Sequence, residues 1–275
     1  MNSLRKFSLV FLLIFSLRIY SQEIKFYGEP IAGGVIIGKG ENVKAAWLNN
    51  KQLSIDKNGI FIFGFDRDAK GKFVLRVKLK NKKLINYEYK IEKRLYEEQR
   101  LTLPKKYVTP PKKELSRIKK EARIIKQARS KIGKLNAALF SSGFVYPVDS
   151  IKITGLFGSK RILNEKPHNI HNGIDFAVGE GDSVYAITDG IVRLAGENFY
   201  FNGNFVLLDH GQGLSSVYLH LSKIFVQNGE RIKKGEVIGL AGSTGRSTGP
   251  HLHLGVQWLN KRIDPLSLLE IKEIE

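Results

Sequence analysis

Residues 249–258 read GPHLHLGVQW, with His251 and His253 on either side of a single leucine. The segment has the composition of a β-strand, and residues two apart on a strand point to the same face, with Cα atoms about 6.6 Å apart. Two imidazoles at that spacing can converge on one small object. Either histidine alone would be typical of an ordinary sheet residue, but the spaced pair predicts a binding site on the sheet.

A second cluster, IHNGIDFAVGEGD at residues 170–182, offers His171 and Asp175 as further donors. In a fully extended chain their Cα atoms would lie about 13 Å apart, too far for both to reach one metal ion. Asn172-Gly173 is a strong turn dipeptide, so it can fold the histidine and the carboxylate toward each other.

Nitrogen and oxygen donors without sulfur suit zinc better than calcium or magnesium, and an open catalytic zinc site keeps three protein ligands. Spacing alone leaves open which of His251 and His253 would be a ligand. It also leaves open whether the two clusters meet.

Three motifs, taken in order, resemble those of the lysostaphin and LytM-type zinc metallopeptidases, enzymes that cut peptide bonds in peptidoglycan. They are HNGIDFA at residues 171–177, YLHLS at 218–222 and GSTGRSTGPHLHLGV at 242–256. The resemblance runs from Val145 to Leu266. It implies a compact, mostly antiparallel sheet with the site in a groove across it.

The resemblance also implies a role for each residue. His171, Asp175 and His253 match the ligands of one zinc ion, whose bound water is the nucleophile, and His251 and His220 match the catalytic pair. No HExxH motif supplies a glutamate base, so a neutral histidine would accept the water's proton. We assign that role to His251, while His220 would orient the water or stabilise the oxyanion. The two histidines could exchange these roles.

These roles predict a zinc-dependent endopeptidase that hydrolyses peptide bonds in peptidoglycan stem peptides or cross-links. The alternative is a catalytically silent homologue that binds the cell wall and activates amidases, for which ligands should be missing. A zinc-stabilised wall-binding module would instead need a closed site with four ligands.

Residues 245–249, GRSTG, fit the GxSxG pattern of serine hydrolases. That turn must open a helix, whereas Pro250 and a strand-like run follow here. The segment therefore predicts a glycine-rich loop beside a bound peptide, not a serine nucleophile.

Residues 1–21 predict a secretory signal peptide, because Arg5 and Lys6 precede an apolar run too short to span a bilayer. We therefore expect an exported protein of the periplasm or cell envelope, or an extracellular one. The chain has no cysteine, which excludes disulfides, thiolate metal ligands and a cysteine nucleophile.

The rest of the chain predicts a mainly β protein in three parts. Residues 22–95 contain short strand-like runs between turn signals and predict a small, Ig-like β-sandwich. Residues 96–140 predict a basic linker with one long amphipathic helix. Residues 141–275 predict the compact antiparallel zinc metallopeptidase domain.

The linker helix is predicted from apolar residues at helical spacing among many lysines and arginines, with Thr109 as its cap and two prolines in its first turn. The apolar positions are Leu115, Ile118, Ala122, Ile125, Ala128, Ile132 and Leu135.

Charge is divided unevenly along the chain. Residues 1–140 hold 32 Lys+Arg against 12 Asp+Glu, a net charge of +20, whereas residues 141–275 hold 13 against 14, a net charge of −1. The basic half predicts either a solvated helix face or attraction to an anionic envelope polymer or membrane surface. No nucleic-acid partner is expected, because no stacking or groove-reading motif accompanies the charge.

Overall fold

A computed structural model of the protein describes residues 24–102 and 105–275. The predicted signal peptide, residues 1–21, lies outside the described residues. Strands dominate the described part of the chain, as the sequence predicts. No described helix combines the length and apolar character needed to cross a membrane.

The N-terminal part forms two antiparallel sheets, in the orders β1-β2-β5 and β4-β3-β6-β7. Aromatic side chains join them, since the rings of Phe63 on one sheet and Tyr89 on the other lie 5.7 Å apart. The seven strands are β1 Lys25–Gly28, β2 Val35–Lys39, β3 Val43–Leu48, β4 Lys51–Gln52, β5 Ile60–Gly64, β6 Gly71–Leu79 and β7 Leu84–Ile91. Two sheets packed face to face make the sandwich that the alternating residues predict.

The remaining strands are β8 Glu98–Leu101, β9 Ile153–Gly155, β10 Lys160–Leu163, β11 Lys166–Ile170, β12 Ile174–Phe176, β13 Ser183–Tyr185, β14 Gly190–Phe199, β15 Gly203–Gly211, β16 Leu214–Leu221, β17 Lys223–Ile224, β18 Arg231–Ile232, β19 Val237–Leu240, β20 Leu252–Trp258 and β21 Lys261–Ile263. Eight of them form one sheet in the order β18-β14-β15-β16-β20-β12-β9, with β21 paired to β20. Every pair in this sheet is antiparallel, which confirms the expected architecture.

Strand β20 shows how the sheet separates its two faces. Leu252, Leu254 and Val256 are buried in the core, so the alternate residues, His253 and Gln257 among them, lie on the opposite face. His253 pairs with residues of both neighbouring strands, β12 and β16. The histidine therefore stands in the middle of the sheet, on the face that is not part of the main core.

The described helices are α1 Lys105–Val108, α2 Leu115–Arg129 and α3 Pro265–Leu269, with 3₁₀ turns at Lys112–Glu114 and Leu139–Ser142. With 15 residues, α2 is the longest of them. Two details of the predicted linker helix are wrong. The helix begins at Leu115, after the proline pair, because Pro111 is extended with ψ 144°, so Thr109 lies too far before the helix to cap it. It also ends before Ile132 and Leu135, and Gly133 follows in the left-handed region with φ 88°.

Helix α2 packs against the same face of the large sheet that carries His253. Ala128 is buried with Leu194, Phe205 and Leu207, and Val217 packs against this cluster. The helix thus covers strands β14 to β16 and stops beside the central strands. Ile124, Ile125 and Ala128 in the second half of the helix make this contact, whereas Leu115 at its start and most of its cations are exposed.

Candidate metal centre

Three ligand-type side chains meet on the open face of the sheet. Asp175 Oδ1 lies 3.0 Å from His171 Nε2 and 2.7 Å from His253 Nδ1, and the two imidazole nitrogens lie 3.0 Å apart. Among the described residues this is the one group of three or more such side chains close enough to share an ion. The structure therefore brings together the two clusters that the sequence left separate.

Strand pairing and a turn explain why these donors converge. Asp175 on β12 lies directly opposite His253 on β20, and the Asn172-Gly173 segment folds His171 back toward them. Gly173 permits this approach, because a Cβ at that position would lie 2.7 Å from the His253 ring and 2.3 Å from a backbone oxygen. At the predicted turn, the backbone of Gly173 therefore lies in close contact with strand β20.

Two of the three candidate ligands, His171 and Asp175, each form a hydrogen bond with a residue outside the group. The Nδ1 of His171 donates to the Leu156 carbonyl at 2.9 Å, which leaves Nε2 free of its proton and directed at the other donors. Arg161 Nη2 donates to Asp175 Oδ2 at 2.5 Å, which leaves Oδ1 for the ion. Such outer partners fix the tautomer and orientation of metal ligands.

Arg161 is in turn held by the linker. Gln99 on β8 pairs in parallel register with Arg161 on β10, and its side-chain oxygen accepts from Arg161 Nε at 3.1 Å. Neither residue was predicted from the sequence. Strands β8 and β10 are far apart in the sequence, so their parallel pairing leaves no local pattern. The available signal was an arginine ten residues before His171.

Electrostatics favours the charge state that a metal requires. Burial raises the pKa of Asp175, but hydrogen bonds and charges from His171 and His253 outweigh burial and hold that pKa well below its usual range. Burial lowers the pKa of His253. An ionised carboxylate and a neutral imidazole are the forms that ligate metals.

His220 and His251 stand together beside the three donors. Their ring centroids lie 4.8 Å apart, and the His220 ring lies 6.4 Å from that of His253. His220 adopts a left-handed backbone conformation with φ 67°, at an irregularity in the pairing of β15 with β16. Such strain in a non-glycine residue is typical of functional sites.

Hydrogen bonds define the tautomer of both rings. The Nδ1 atoms of His220 and His251 face the carbonyls of Thr244 and Gly249 at 2.8 and 2.9 Å. A carbonyl only accepts, so each Nδ1 carries the hydrogen and each neutral ring keeps Nε2 as a proton acceptor. Burial lowers the pKa of His220 to about 3, with the neighbouring His251 and His253 adding to the effect.

The glycine-rich loop at residues 242–249 supports this pair. Ser247 Oγ donates to the Gly249 carbonyl at 2.7 Å and lies 3.1 Å from His251 Nδ1. No helix follows, and β20 begins at Leu252. Ser247 therefore braces the loop, in keeping with the predicted absence of a nucleophile elbow.

All five predicted site residues line one groove of about 460 Å³. Its rim includes Gln99, Arg161 and Arg246, and the Arg246 guanidinium lies 4.8 Å from the centre of the Phe201 ring. The groove runs across the sheet face, as the resemblance implied.

The donor set fits zinc. Two imidazole nitrogens and one carboxylate oxygen lie close enough for one ion to bond all three at about 2.0–2.2 Å, and sulfur is absent. Three protein ligands leave a fourth tetrahedral position open, which is the pattern of catalytic zinc sites.

Comparison with known proteins agrees with this geometry. Residues 169–265 match the family described as peptidase family M23. The peptidoglycan DD-endopeptidase ShyA of Vibrio cholerae is 46% identical over 110 residues, which are 39% of this chain and 25% of the relative. The DD-carboxypeptidase/endopeptidase Mpg of Neisseria meningitidis is 36% identical over 124 residues, which are 45% of this chain and 28% of the relative. The matches thus span little more than a quarter of these curated relatives.

A solved structure resembles most of the chain. A crystal structure described as a peptidase M23 from Pseudomonas aeruginosa matches with a TM-score of 0.61 and 27% identity, over 88% of this chain and 95% of the other. Both halves of the fold therefore recur together in another protein. The region that matches peptidase family M23, residues 169–265, holds all three candidate ligands and both candidate catalytic histidines.

Proposed function

We propose that this protein is a zinc-dependent endopeptidase that hydrolyses peptide bonds in peptidoglycan stem peptides or cross-links. The observation that carries the proposal is the convergence of His171, Asp175 and His253 in the groove that also holds His220 and His251. The relatives named as peptidoglycan endopeptidases support the substrate class.

When bound, zinc lowers the pKa of a coordinated water to about 7 and polarises the scissile carbonyl. The chain's own residues handle the protons. Because His220 and His251 both present Nε2 as an acceptor, either can take a proton from the attacking water. The protonated ring then becomes a donor, which can stabilise the oxyanion or protonate the leaving amine.

The silent-homologue alternative is not favoured. A catalytically inactive amidase activator would have lost ligands or catalytic histidines, whereas all five residues are present and face one groove. Both histidines of the catalytic pair are fixed by backbone carbonyls, which a purely structural zinc module would not require.

We further propose that the protein is exported and acts in the periplasm, at the cell envelope or outside the cell. The pattern of residues 1–21 and the peptidoglycan substrate support this location. The exposed lysines and arginines of α2 are accessible to an anionic envelope polymer or membrane surface, and the alternative is that they form a solvated helix face.

The proposal is tested by incubating purified cell-wall sacculi with the mature protein, with and without a chelator. We expect release of peptide-containing fragments that the chelator abolishes and added zinc restores, measured by mass spectrometry. Absence of any chelator-sensitive release would favour the non-enzymatic alternative.

Two variants separate ligand from catalyst. His253→Ala should lose bound zinc, measured by elemental analysis, because it removes one of three donors. His220→Ala should keep zinc and lose activity by about 10²-fold or more, the usual contribution of general acid–base catalysis. Loss of zinc from His220→Ala would contradict the assigned roles.

A further inference from the structure

The groove continues past the metal centre. A second cavity of about 240 Å³ shares Asn172, Asn202, Leu219 and His253 with the groove of the metal site. A peptide lying across the metal centre can therefore extend along the same sheet face into this cavity.

Two arginines from different parts of the chain line the second cavity. Arg129 is the last residue of α2, and its Nη1 donates to Gln257 Oε1. Arg262 on β21 pairs directly opposite Gln257 on β20. Gln257 thus bonds to the Arg129 side chain and is the strand partner of Arg262, and all three residues line the cavity.

Neither guanidinium has an acidic partner at ion-pair distance. Within residues 24–102 and 105–275, no carboxylate lies within 4.0 Å of Arg129 or Arg262, whereas Arg161 and Arg193 each have one. Asp66 acts on Arg262 from farther away. Burial, together with the smaller effect of the charge of Arg262, lowers the pKa of Arg129 to about 10.

Two like charges held together in a partly buried cavity are unfavourable unless an anion compensates them. Guanidinium groups match carboxylates in shape, because both are planar and can form two parallel hydrogen bonds. A carboxylate is also a group that peptide substrates carry at side chains and chain ends.

We propose that Arg129 and Arg262 form a subsite that binds a free carboxylate of the peptide substrate, beside the metal centre. This inference rests on the proposed function. It also assigns a role to the linker: Arg129 lies outside residues 169–265, so an element beyond the family match would set substrate preference.

The test uses the full mature chain with zinc and a set of synthetic cross-linked peptides. In each peptide one free carboxylate is replaced by a carboxamide, and kcat/KM is measured for the acid and the amide. For at least one position we expect the wild type to favour the acid by roughly 10-fold or more, the strength of a hydrogen bond to a charged group. Equal rates at every position would overturn the inference.

Substitutions of the two arginines test whether they cause the preference for the acid over the amide. Arg129→Gln and Arg262→Gln should each lower the acid-to-amide ratio toward one, and Arg129→Lys should retain only part of it. Arg123→Gln is the matched control, because Arg123 is exposed on the same helix. A ratio unchanged in both Gln variants would overturn the inference. Thermal melting checks that each variant is folded. If Arg129→Gln does not fold, Arg262→Gln provides the test, because Arg262 is on β21 and not on the helix.

A binding measurement separates this subsite from the hydrolase proposal. Fluorescence anisotropy with the labelled acid and amide peptides reports the preference whether or not the protein cleaves them. Failure to cleave any peptide, with acid-selective binding that both Gln variants lose, would contradict the proposed function and support the subsite. Cleavage of the peptides without acid-selective binding would support the proposed function and contradict the subsite.

Discussion

Arg161 connects the metal centre to a part of the chain that no metal-site motif includes. It holds one oxygen of Asp175 and is itself held by Gln99. Arg161→Ala should therefore weaken zinc binding by about 10- to 100-fold, the usual cost of losing an outer partner of a ligand. Competition with a zinc chelator of known affinity measures the change.

Arg100→Ala provides the control for this prediction. Arg100 is the neighbour of Gln99 on the same strand, but its partners are the exposed carboxylates of Glu98 and Glu165. Exposed ion pairs contribute little to stability, so this variant should bind zinc as the wild type does. Equal zinc affinity in Arg161→Ala and Arg100→Ala would show that Asp175 needs no outer partner.

His210 makes folding sensitive to acid. The ring is buried, with Nδ1 facing the Asp189 carbonyl and Nε2 facing the Ser216 hydroxyl, both at 2.8 Å. Burial lowers its pKa to about 4, although the charges of Asp209 and Asp189 act in the opposite direction. Since the unfolded state binds the proton more readily, the stabilisation is complete above about pH 6.5 and is lost as the pH falls toward 4.

We expect the wild type to lose roughly 3 kcal/mol more unfolding free energy than His210→Asn between pH 7 and pH 4. Asparagine can replace one of the two hydrogen bonds and does not titrate. Urea unfolding of the metal-free proteins at a series of pH values gives both slopes. Parallel slopes would mean that another group dominates the acid sensitivity.

At the scale of elements, the loop at residues 242–249 positions His220 and His251, the proposed catalytic pair, through its carbonyls. Gly245 has φ 71°, and a Cβ there would lie 2.2 Å from the backbone nitrogen of Gly203. Gly245→Ala should therefore displace the loop and reduce kcat by about 10-fold or more, because catalytic geometry tolerates only small displacements. Steady-state kinetics on a soluble cross-linked peptide measures the loss.

Gly235→Ala is the control for Gly245→Ala, because it introduces backbone strain at positive φ without a steric clash. Gly235 has a similar φ of 77°, but an added Cβ would meet no atom within 4 Å. The substitution should destabilise the protein by about 1 kcal/mol, as Gly-to-Ala at positive φ does, and leave kcat unchanged. Equal losses of activity in the two variants would remove the argument for loop positioning.

Some elements of the fold and the site could be predicted from the sequence, and others could not. Period-two alternation predicted the strands, and motif spacing predicted His171, Asp175 and one histidine of the HxH pair as donors, since both are local properties. Only the family resemblance selected His253 from that pair. The start of α2 was misplaced because Pro110 and Pro111 fit a helical first turn as well as an extended segment. Gln99 and Arg161 were missed because their register joins strands far apart in the chain, which no local pattern specifies.

At the scale of the whole molecule, the basic N-terminal half and the C-terminal half that holds the candidate metal centre share one core. The larger of two hydrophobic clusters among the described residues contains buried residues of both halves, from Ile24 to Ile274. Buried Arg67 donates from Nε and Nη2 to the Gly158 carbonyl at 3.0 and 2.6 Å, and Gln212 donates to the Ile60 carbonyl at 2.9 Å. The charge boundary in the sequence is therefore not a boundary in packing.

This continuity predicts one cooperative unfolding transition for the mature chain, with calorimetric and van't Hoff enthalpies that agree. Arg67→Ala should shift that whole transition downward, because it leaves a buried carbonyl without its charged donors, at a cost of about 2–3 kcal/mol. Arg76→Ala, on the exposed surface of β6, should leave the transition in place. Scanning calorimetry decides the matter: two transitions, of which Arg67→Ala moves only one, would show that the halves fold independently despite their shared core.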